Sequence, residues 1–424
     1  MRRAACFLLL ALGCGPAAVR PADRPHVVVI VVDDVGQGDL GYCGGDLDTP
    51  RLDALANESL RLDRFYAAPM CSPSRAQLMT GKHALRLGML RNIKPDDDAG
   101  LSTDETTVAE RLAEAGYRAA LVGKWHLGHA RPEQRPNARG FQASYGLLRG
   151  WVDYTTHEVD GVTDWHRNGA PLDEPGYATD LIAAEAVRVI HAHDPSAPLF
   201  LVVSFNAPHP PLQAPPGAAP GSDARAVYAA MVERMDTRIG DVLDALDASG
   251  LAQNTLLWFL SDNGANPKFG GSNAPLAGGK YTCYEGGLRV PALLRWPGHL
   301  SPGASPAFVA TVDLAPSLEA LAGLARRSDV DGIDVLPALQ AGLATPERDL
   351  LFAVDHANVE RRAILRAPWK YITERRKDGT TLQLFNVVAD PLEEHDLARQ
   401  SPEIASALAA RLAEASPAAA PRGQ

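Results

Sequence analysis

The chain has 424 residues, which at roughly 100 to 200 residues per domain leaves room for two or three domains, or for one large α/β body with an appendage. Hydrophobic residues make up 46% and charged residues 22%, which excludes disordered, collagen-like and multi-spanning membrane proteins. With 41 Lys and Arg against 51 Asp and Glu the formal charge is −10, so the surface is not built to grip phosphate backbones and no nucleic-acid partner is expected.

Arg2 and Arg3, the apolar run Ala4 to Leu12 and the small residues up to Ala18 read as a secretory signal over residues 1–20, too short for a permanent membrane anchor. Cys14 is either a lipid-accepting cysteine or part of a signal cleaved near Ala18. The protein is therefore expected to be exported, to the periplasm, the cell envelope or the medium, and to meet a membrane only through such a lipid. Five cysteines are too few for a disulfide scaffold.

The first strand is predicted at Val27 to Val32, running into Asp33 and Asp34. In Cys71-Ser72-Pro73-Ser74-Arg75, Ser72 suits a helix N-cap and Pro73 its first position, which sets Cys71 against the positive end of a helix dipole, where an anion or a nucleophile is favoured. Ser102 and Glu105 form a capping-box pattern before a helix reaching about Ala115 and stopped by Gly116. A second strand, Ala119 to Val122, leads to Gly123, Lys124, Trp125 and His126. His191 and His193, two apart on a probable helix and facing different sides, read as surface positions. A third strand, Leu199 to Phe205, leads to Asn206 and His209, and Pro208 to Pro220 reads as a loop. Asp223 is expected to cap a long helix ending near Gly250, and a fourth strand, Leu256 to Leu260, leads to Asp262 and Asn263.

These four runs are continuously apolar and interleaved with helical segments, the mark of parallel strands buried on both faces. In open α/β sheets ligands bind beyond the carboxyl ends of the strands, so Asp33, Asp34, Lys124, His126, Asn206, His209, Asp262 and Asn263 should converge on one edge. Three carboxylates and an amide are hard oxygen donors that suit Ca²⁺ or Mg²⁺ better than zinc.

These blocks resemble the type I sulfatases of the alkaline phosphatase-like superfamily. The resemblance rests on the C-x-P-x-R signature at Cys71 to Arg75, the VVDDVGQGDLGY opening, the Gly-Lys-Trp-His-Leu-Gly block at Gly123 to Gly128, NAPHPP, Ser261 to Gly264, GGKYTCYEGGLRVP with Lys280, and the tail LQLFNVVADPLEEHDLA. It implies an α/β sandwich with a large, mostly parallel central sheet flanked by helices, the catalytic domain spanning 24–330. A smaller C-terminal domain, 331–424, would add a short antiparallel sheet and a terminal helix. It also implies that the formylglycine-generating enzyme oxidises Cys71 to Cα-formylglycine, whose hydrate is the nucleophile in sulfate-ester hydrolysis. A gem-diol offers one hydroxyl for attack and a second whose deprotonation expels sulfate, an exit a thiolate lacks.

By the same resemblance Asp33, Asp34, Asp262 and Asn263, with the modified Cys71, hold Ca²⁺, Mg²⁺ being the alternative. Arg75 orients the modified residue, Lys124 and His126 hold its second hydroxyl with His126 as base, and His209 and Lys280 bind sulfate and protonate the leaving alcohol. Cys43 and Cys283 are expected as free, partly buried thiols, a disulfide being the alternative. The rival readings are a formylglycine-dependent phosphonate or phosphate ester hydrolase and a glycan-binding relative without catalysis. The segment Gly146 to Gly169 resembles an insertion of the arylsulfatase B group, the N-acetylgalactosamine-4-sulfatases. Its Trp151, Tyr154, His157 and Trp165 are expected to stack on a sugar, making a sulfated carbohydrate, plausibly a 4-sulfated N-acetylgalactosamine unit, the expected substrate.

Overall fold

The computed structural model describes residues 24–415 except 220 and 222; the secretory segment and Cys14 lie outside the described residues. A ten-stranded sheet forms the body. Its order is Gly303–Ala310, Leu60–Tyr66, Ala292–Arg295, Thr255–Ser261, His26–Val32, Leu199–Ser204, Arg118–Gly123, Ala143–Gly146, His166–Arg167 and Ala170–Pro171. The four predicted strands are its centre and pair in parallel, while Ala292–Arg295 and the two short edge strands run antiparallel.

The alternation of a strand explains why the central runs are apolar throughout. Val27, Val29 and Val31 face one core with the helices Cys71–Thr80, Val108–Glu114 and Leu314–Leu321. Val28, Ile30 and Val32 face the other, beneath Pro50–Asn57, Ala178–His191 and Ala224–Ala248. Both faces being dry, no polar residue is tolerated until the strand ends. Register then levels those ends: Val32 pairs with Ser261, Val31 with Ser204, and Ser204 with Gly123. The polar residues that follow each strand therefore meet on one edge.

Helix boundaries departed from expectation in two places. The helix Cys71–Thr80 takes Met70 as its N-cap, so Cys71 is the first helical residue and Pro73 the third. Ser72 does not cap; its hydroxyl donates to the His126 carbonyl at 3.0 Å. The Ser102–Glu105 box is a turn, and the working capping box lies five residues on, where the Thr107 side chain accepts from Glu110 N and Glu110 returns a bond to Thr107 N. Such a cap is worth about 1 kcal/mol. The long helix Ala224–Ala248 is capped by Asp223 as expected.

Four antiparallel strands, Leu350–His356, Val359–Arg366, Trp369–Arg376 and Gly379–Asn386, form a second, smaller sheet. One face packs on the helix Pro402–Ala415 through Leu408 and Leu412. The other, with Phe352, Val354 and Phe385, packs on Tyr66, Met70, Cys283 and Leu288 of the main body. Val335, Leu336 and Leu339, which precede this sheet, sit in the core of the large sheet. Among the described residues no helix is long and apolar enough to cross a membrane.

Candidate active site

Cys71 sits at the base of the convergence, fully buried on the first turn of a helix all ten of whose residues are buried. Its Sγ lies 3.3 Å from Asp33 Oδ1, 3.9 Å from Asp34 Oδ1 and 3.3 Å from Lys280 Nζ. Burial, then the charges of Asp262 and Asp33, push the thiol well above its ordinary pKa. An unmodified Cys71 is therefore a neutral thiol at pH 7 and a poor nucleophile, despite the helix end.

Around it, buried charges balance. Lys124 pairs with Asp33, Lys280 with Asp34 at 2.6 Å, and Arg75 with Asp262 at 2.9 Å through both Nε and Nη2. Burial raises the Asp34 carboxyl, but the Lys280 ammonium overcomes it and holds the group at about 2. Burial and the Asp262 charge push Asp33 upward instead. Three carboxylates opposed by three cations leave the cluster near neutrality, so it has electrostatic room for a dication together with an anionic ester.

The donor set fits a hard cation. Asp33, Asp34, Cys71 and His209 bring one potential ligand atom each to within 4.8 Å of one another. Asn263 donates its Nδ2 to Asp34 Oδ1 at 2.7 Å, while its Oδ1 is buried with no partner among the described residues. A buried acceptor without a donor is costly, and a metal ion would satisfy it. Asp262 lies beside this group, its Oδ1 3.4 Å from Asp34 N. His209, assigned above to sulfate, is drawn closer to the carboxylates than the sequence pattern implied.

The two histidines have fixed tautomers. His126 Nε2–H donates to the Ile93 carbonyl at 3.0 Å, which leaves Nδ1 with a buried lone pair and no partner among the described residues. Burial, then Lys124 and Arg75, hold this imidazole far below its ordinary pKa, so it is neutral and able to accept a proton. His209 Nδ1–H donates to the Pro210 carbonyl at 2.7 Å, and burial and Lys280 lower its pKa to about 4. Two glycines permit the close approach. A Cβ on Gly123, whose φ is +112°, would lie 1.9 Å from the Ser204 carbonyl oxygen, and one on Gly150 would lie 2.6 Å from the His126 ring.

Some supporting groups carried no sequence signal. Ser204 accepts from Arg75 Nη1 at 2.7 Å, and Tyr228 donates to the Asp34 carbonyl at 2.9 Å. The aromatic insertion proved mostly structural. Tyr154 and Trp165 are fully buried and His157 is 2% exposed, stacked on Trp165. Tyr154 instead donates its hydroxyl to the carbonyls of Asn206 and His209, both at 2.8 Å, holding the His209 loop. These three cannot stack on a sugar, and the 4-sulfate expectation loses that support. Trp151 lines a cavity of about 310 Å³ with Asp34, His209, Phe269, Lys280 and Tyr281. Cys43 and Cys283 are free thiols, and no disulfide joins them.

The family model described as Sulfatase matches residues 25–324, and one described as N-sulphoglucosamine sulphohydrolase, C-terminal, matches 279–417. Arylsulfatase J of Mus musculus is 32% identical over 96% of this chain and 78% of its own length. The chain belongs to the sulfatase family. N-acetylgalactosamine-6-sulfatase of Homo sapiens is 36% identical over 77% of this chain and 68% of its own. Among solved structures, Ps i-CgsB in complex with k-i-k-neocarrahexaose aligns with a TM-score of 0.85 and 31% identity, covering 93% of each chain. The sulfatase is thus a sulfuric ester hydrolase on the fold that its sequence implied.

Proposed function

We propose that this sulfatase hydrolyses sulfate esters of carbohydrates, with Cys71 converted to Cα-formylglycine and Ca²⁺ held by Asp33, Asp34, Asp262 and Asn263 beside it. The observation that carries the proposal is the placing of Cys71 Sγ between the Asp33 and Asp34 carboxylates and the Lys280 ammonium. When bound, the cation supplies Lewis-acid polarisation of the sulfate and favours the ionised form of the attacking hydroxyl. The protein does the rest. Arg75, anchored by Asp262, Ser204 and the Lys124 carbonyl, fixes position 71. Lys124 directs positive charge at the same place, and His126 Nδ1 is the base for the hydroxyl that is not attacking. Lys280, charged and buried, binds a sulfate oxygen; His209, whose proton affinity rises beside a bound anion, completes the binding and serves the leaving alcohol.

A carbohydrate substrate is supported by the relatives, one named N-acetylgalactosamine-6-sulfatase and another solved in complex with k-i-k-neocarrahexaose, and by Trp151 and Phe269 on the cavity wall. Export is proposed from the N-terminal sequence, with the formylglycine-generating enzyme as the partner needed before activity. The test is sulfate released from a panel of 4- and 6-sulfated mono- and disaccharides beside an aryl sulfate. The expected outcome is turnover of at least one sulfated sugar, lost in Cys71→Ala, with mass spectrometry finding an aldehyde at position 71 of the active enzyme. Undiminished activity in Cys71→Ala would defeat the nucleophile, and aryl sulfate turnover with none on any sugar would defeat the carbohydrate assignment.

A further inference from the structure

Beside the cavity that holds Lys280 lies a second one, of about 390 Å³, lined by Arg91, Asn92, Lys94, Tyr281, Asp355 and His356 among others. The two share Tyr281. Its backbone is held in the left-handed region at φ +71°, its N–H donates to the Pro69 carbonyl at 2.9 Å, and its carbonyl accepts from Arg361 at 3.2 Å. The ring lies flat on His356, with centroids 3.9 Å apart and planes 6° from parallel, while Lys280 Nζ sits 5.3 Å from its centroid. Tyr281 is thus a fixed wall between the two cavities.

The second cavity is cationic in a protein of net charge −10. Arg91 is exposed and paired with Asp355, and Lys94 is exposed and forms no ion pair among the described residues. The carbonyl groups and side chains of this stretch tie it to the reacting centre. Asn92 Oδ1 accepts from Ser72 N at 3.1 Å, Ile93 N donates to Ser72 Oγ at 3.2 Å, and the Ile93 carbonyl is the partner of His126. Arg91 and Lys94 bracket these contacts, so the backbone that carries both cations is tied to the helix turn of position 71.

We propose that this cavity is a second anion subsite, taking a sulfate or carboxylate on the sugar next to the one whose ester is cleaved. The inference rests on the sulfatase acting on carbohydrates and specifies which ones: polyanionic chains rather than isolated monosulfated sugars. Charge complementarity favours it, since Arg91 and Lys94 line the cavity against one lining carboxylate, Asp355, while the Asp97 carboxylate that accepts from Lys94 N at 2.7 Å is not part of the lining, and the Tyr281–His356 pair offers a flat face for the linking sugar.

The experiment uses three disaccharides with the same reacting sulfated sugar, whose neighbour carries a sulfate, a carboxylate or no charge. With the wild-type enzyme kcat/KM should favour an anionic neighbour over the neutral one by about tenfold, mainly through KM, with the preference shrinking at high salt. The two charged arms identify which anion is taken. In Arg91→Gln/Lys94→Gln the ratio should collapse toward unity, and in Asp355→Asn, which removes the opposing carboxylate, it should rise. A wild-type ratio near one, a ratio unchanged in the double variant, or no rise in Asp355→Asn would each overturn the subsite while leaving the carbohydrate assignment intact. Failure to cleave any disaccharide despite aryl sulfate turnover would overturn both.

Discussion

Asp262 anchors Arg75 and is proposed to hold the cation, and its place in the sequence points only to the second role. An aspartate just past a central strand is legible as a candidate metal ligand because its backbone position is set by strand register, and the same holds for Asp33, Asp34 and Asn263. That Asp262 also anchors Arg75, 187 residues away, was not legible, since the partner is defined only when the helix Cys71–Thr80 docks. Ser204 escaped for the same reason, and Tyr154 misled because an aromatic in a loop reads as a sugar platform until its burial is known. The dual role makes a prediction. Asp262→Asn keeps the shape but removes a charge both from the cation and from Arg75. Purified protein should contain about one divalent cation per chain, Ca²⁺ above Mg²⁺, and the variant well under half of that after dialysis, with turnover lost in proportion. Exhaustive chelation of the wild type should lower both activity and Tm, as removal of any ligand bound only to the folded state does. Wild-type metal content and turnover in Asp262→Asn would remove this carboxylate from the site.

Among the elements, the central strands were the most legible, because a run buried on both faces has no alternative periodicity; the observed strands extend the predicted runs by one residue at several ends and fall one short at Phe205. Helix starts were less legible, since Ser, Thr and Glu recur at the spacing of a cap and only the docked helix selects which pair is used. His26, at the N-terminal end of the first strand and far along it from the site, carries an element-scale prediction. Its Nδ1 accepts from Leu199 N at 3.0 Å, and its ring meets His193 edge-on at 5.4 Å. His193, read as a surface residue, is half-buried by that contact. Burial, then the His193 charge, lower the His26 pKa from 6.5 to about 4. The folded protein then refuses a proton that the unfolded chain accepts, so stability falls as pH drops from about 6.5 toward 4 and is unaffected by this residue above 7. Between pH 7 and pH 5 the loss traceable to His26 is on the order of 2 kcal/mol. His26→Asn, whose amide oxygen can take over the Leu199 bond, should flatten that part of the urea-unfolding profile. Parallel profiles for the two proteins would exclude His26 as the source.

At the scale of the whole molecule, the small sheet is joined to the site by a buried charge triad. Lys370, on the strand Trp369–Arg376, reaches Glu285 at 2.7 Å and Glu393 at 2.8 Å, with all three side chains fully buried. Tyr66 donates to the other Glu285 oxygen at 2.9 Å, and Glu393 accepts from Glu285 N at 2.6 Å. The acidic tail motif was visible in the sequence, but its target was not, because 108 residues separate Glu393 from Glu285. Glu285 follows Lys280 by five residues, so the triad clamps the segment that carries Lys280, the cation proposed to bind sulfate. Lys370→Met leaves two buried carboxylates facing each other, and breaking such a cluster costs about 3 to 5 kcal/mol. A lower Tm alone would be shared by Leu408→Ala, which opens a cavity under the terminal helix on the opposite face at a cost of about 2 to 5 kcal/mol. The distinguishing readout is kcat/KM at a temperature where both variants remain folded. Lys370→Met should lose about tenfold or more, because Lys280 is released from its position, whereas Leu408→Ala should keep wild-type turnover. Equal kcat/KM in the two variants would mean that the small sheet stabilises the sulfatase without positioning its active site.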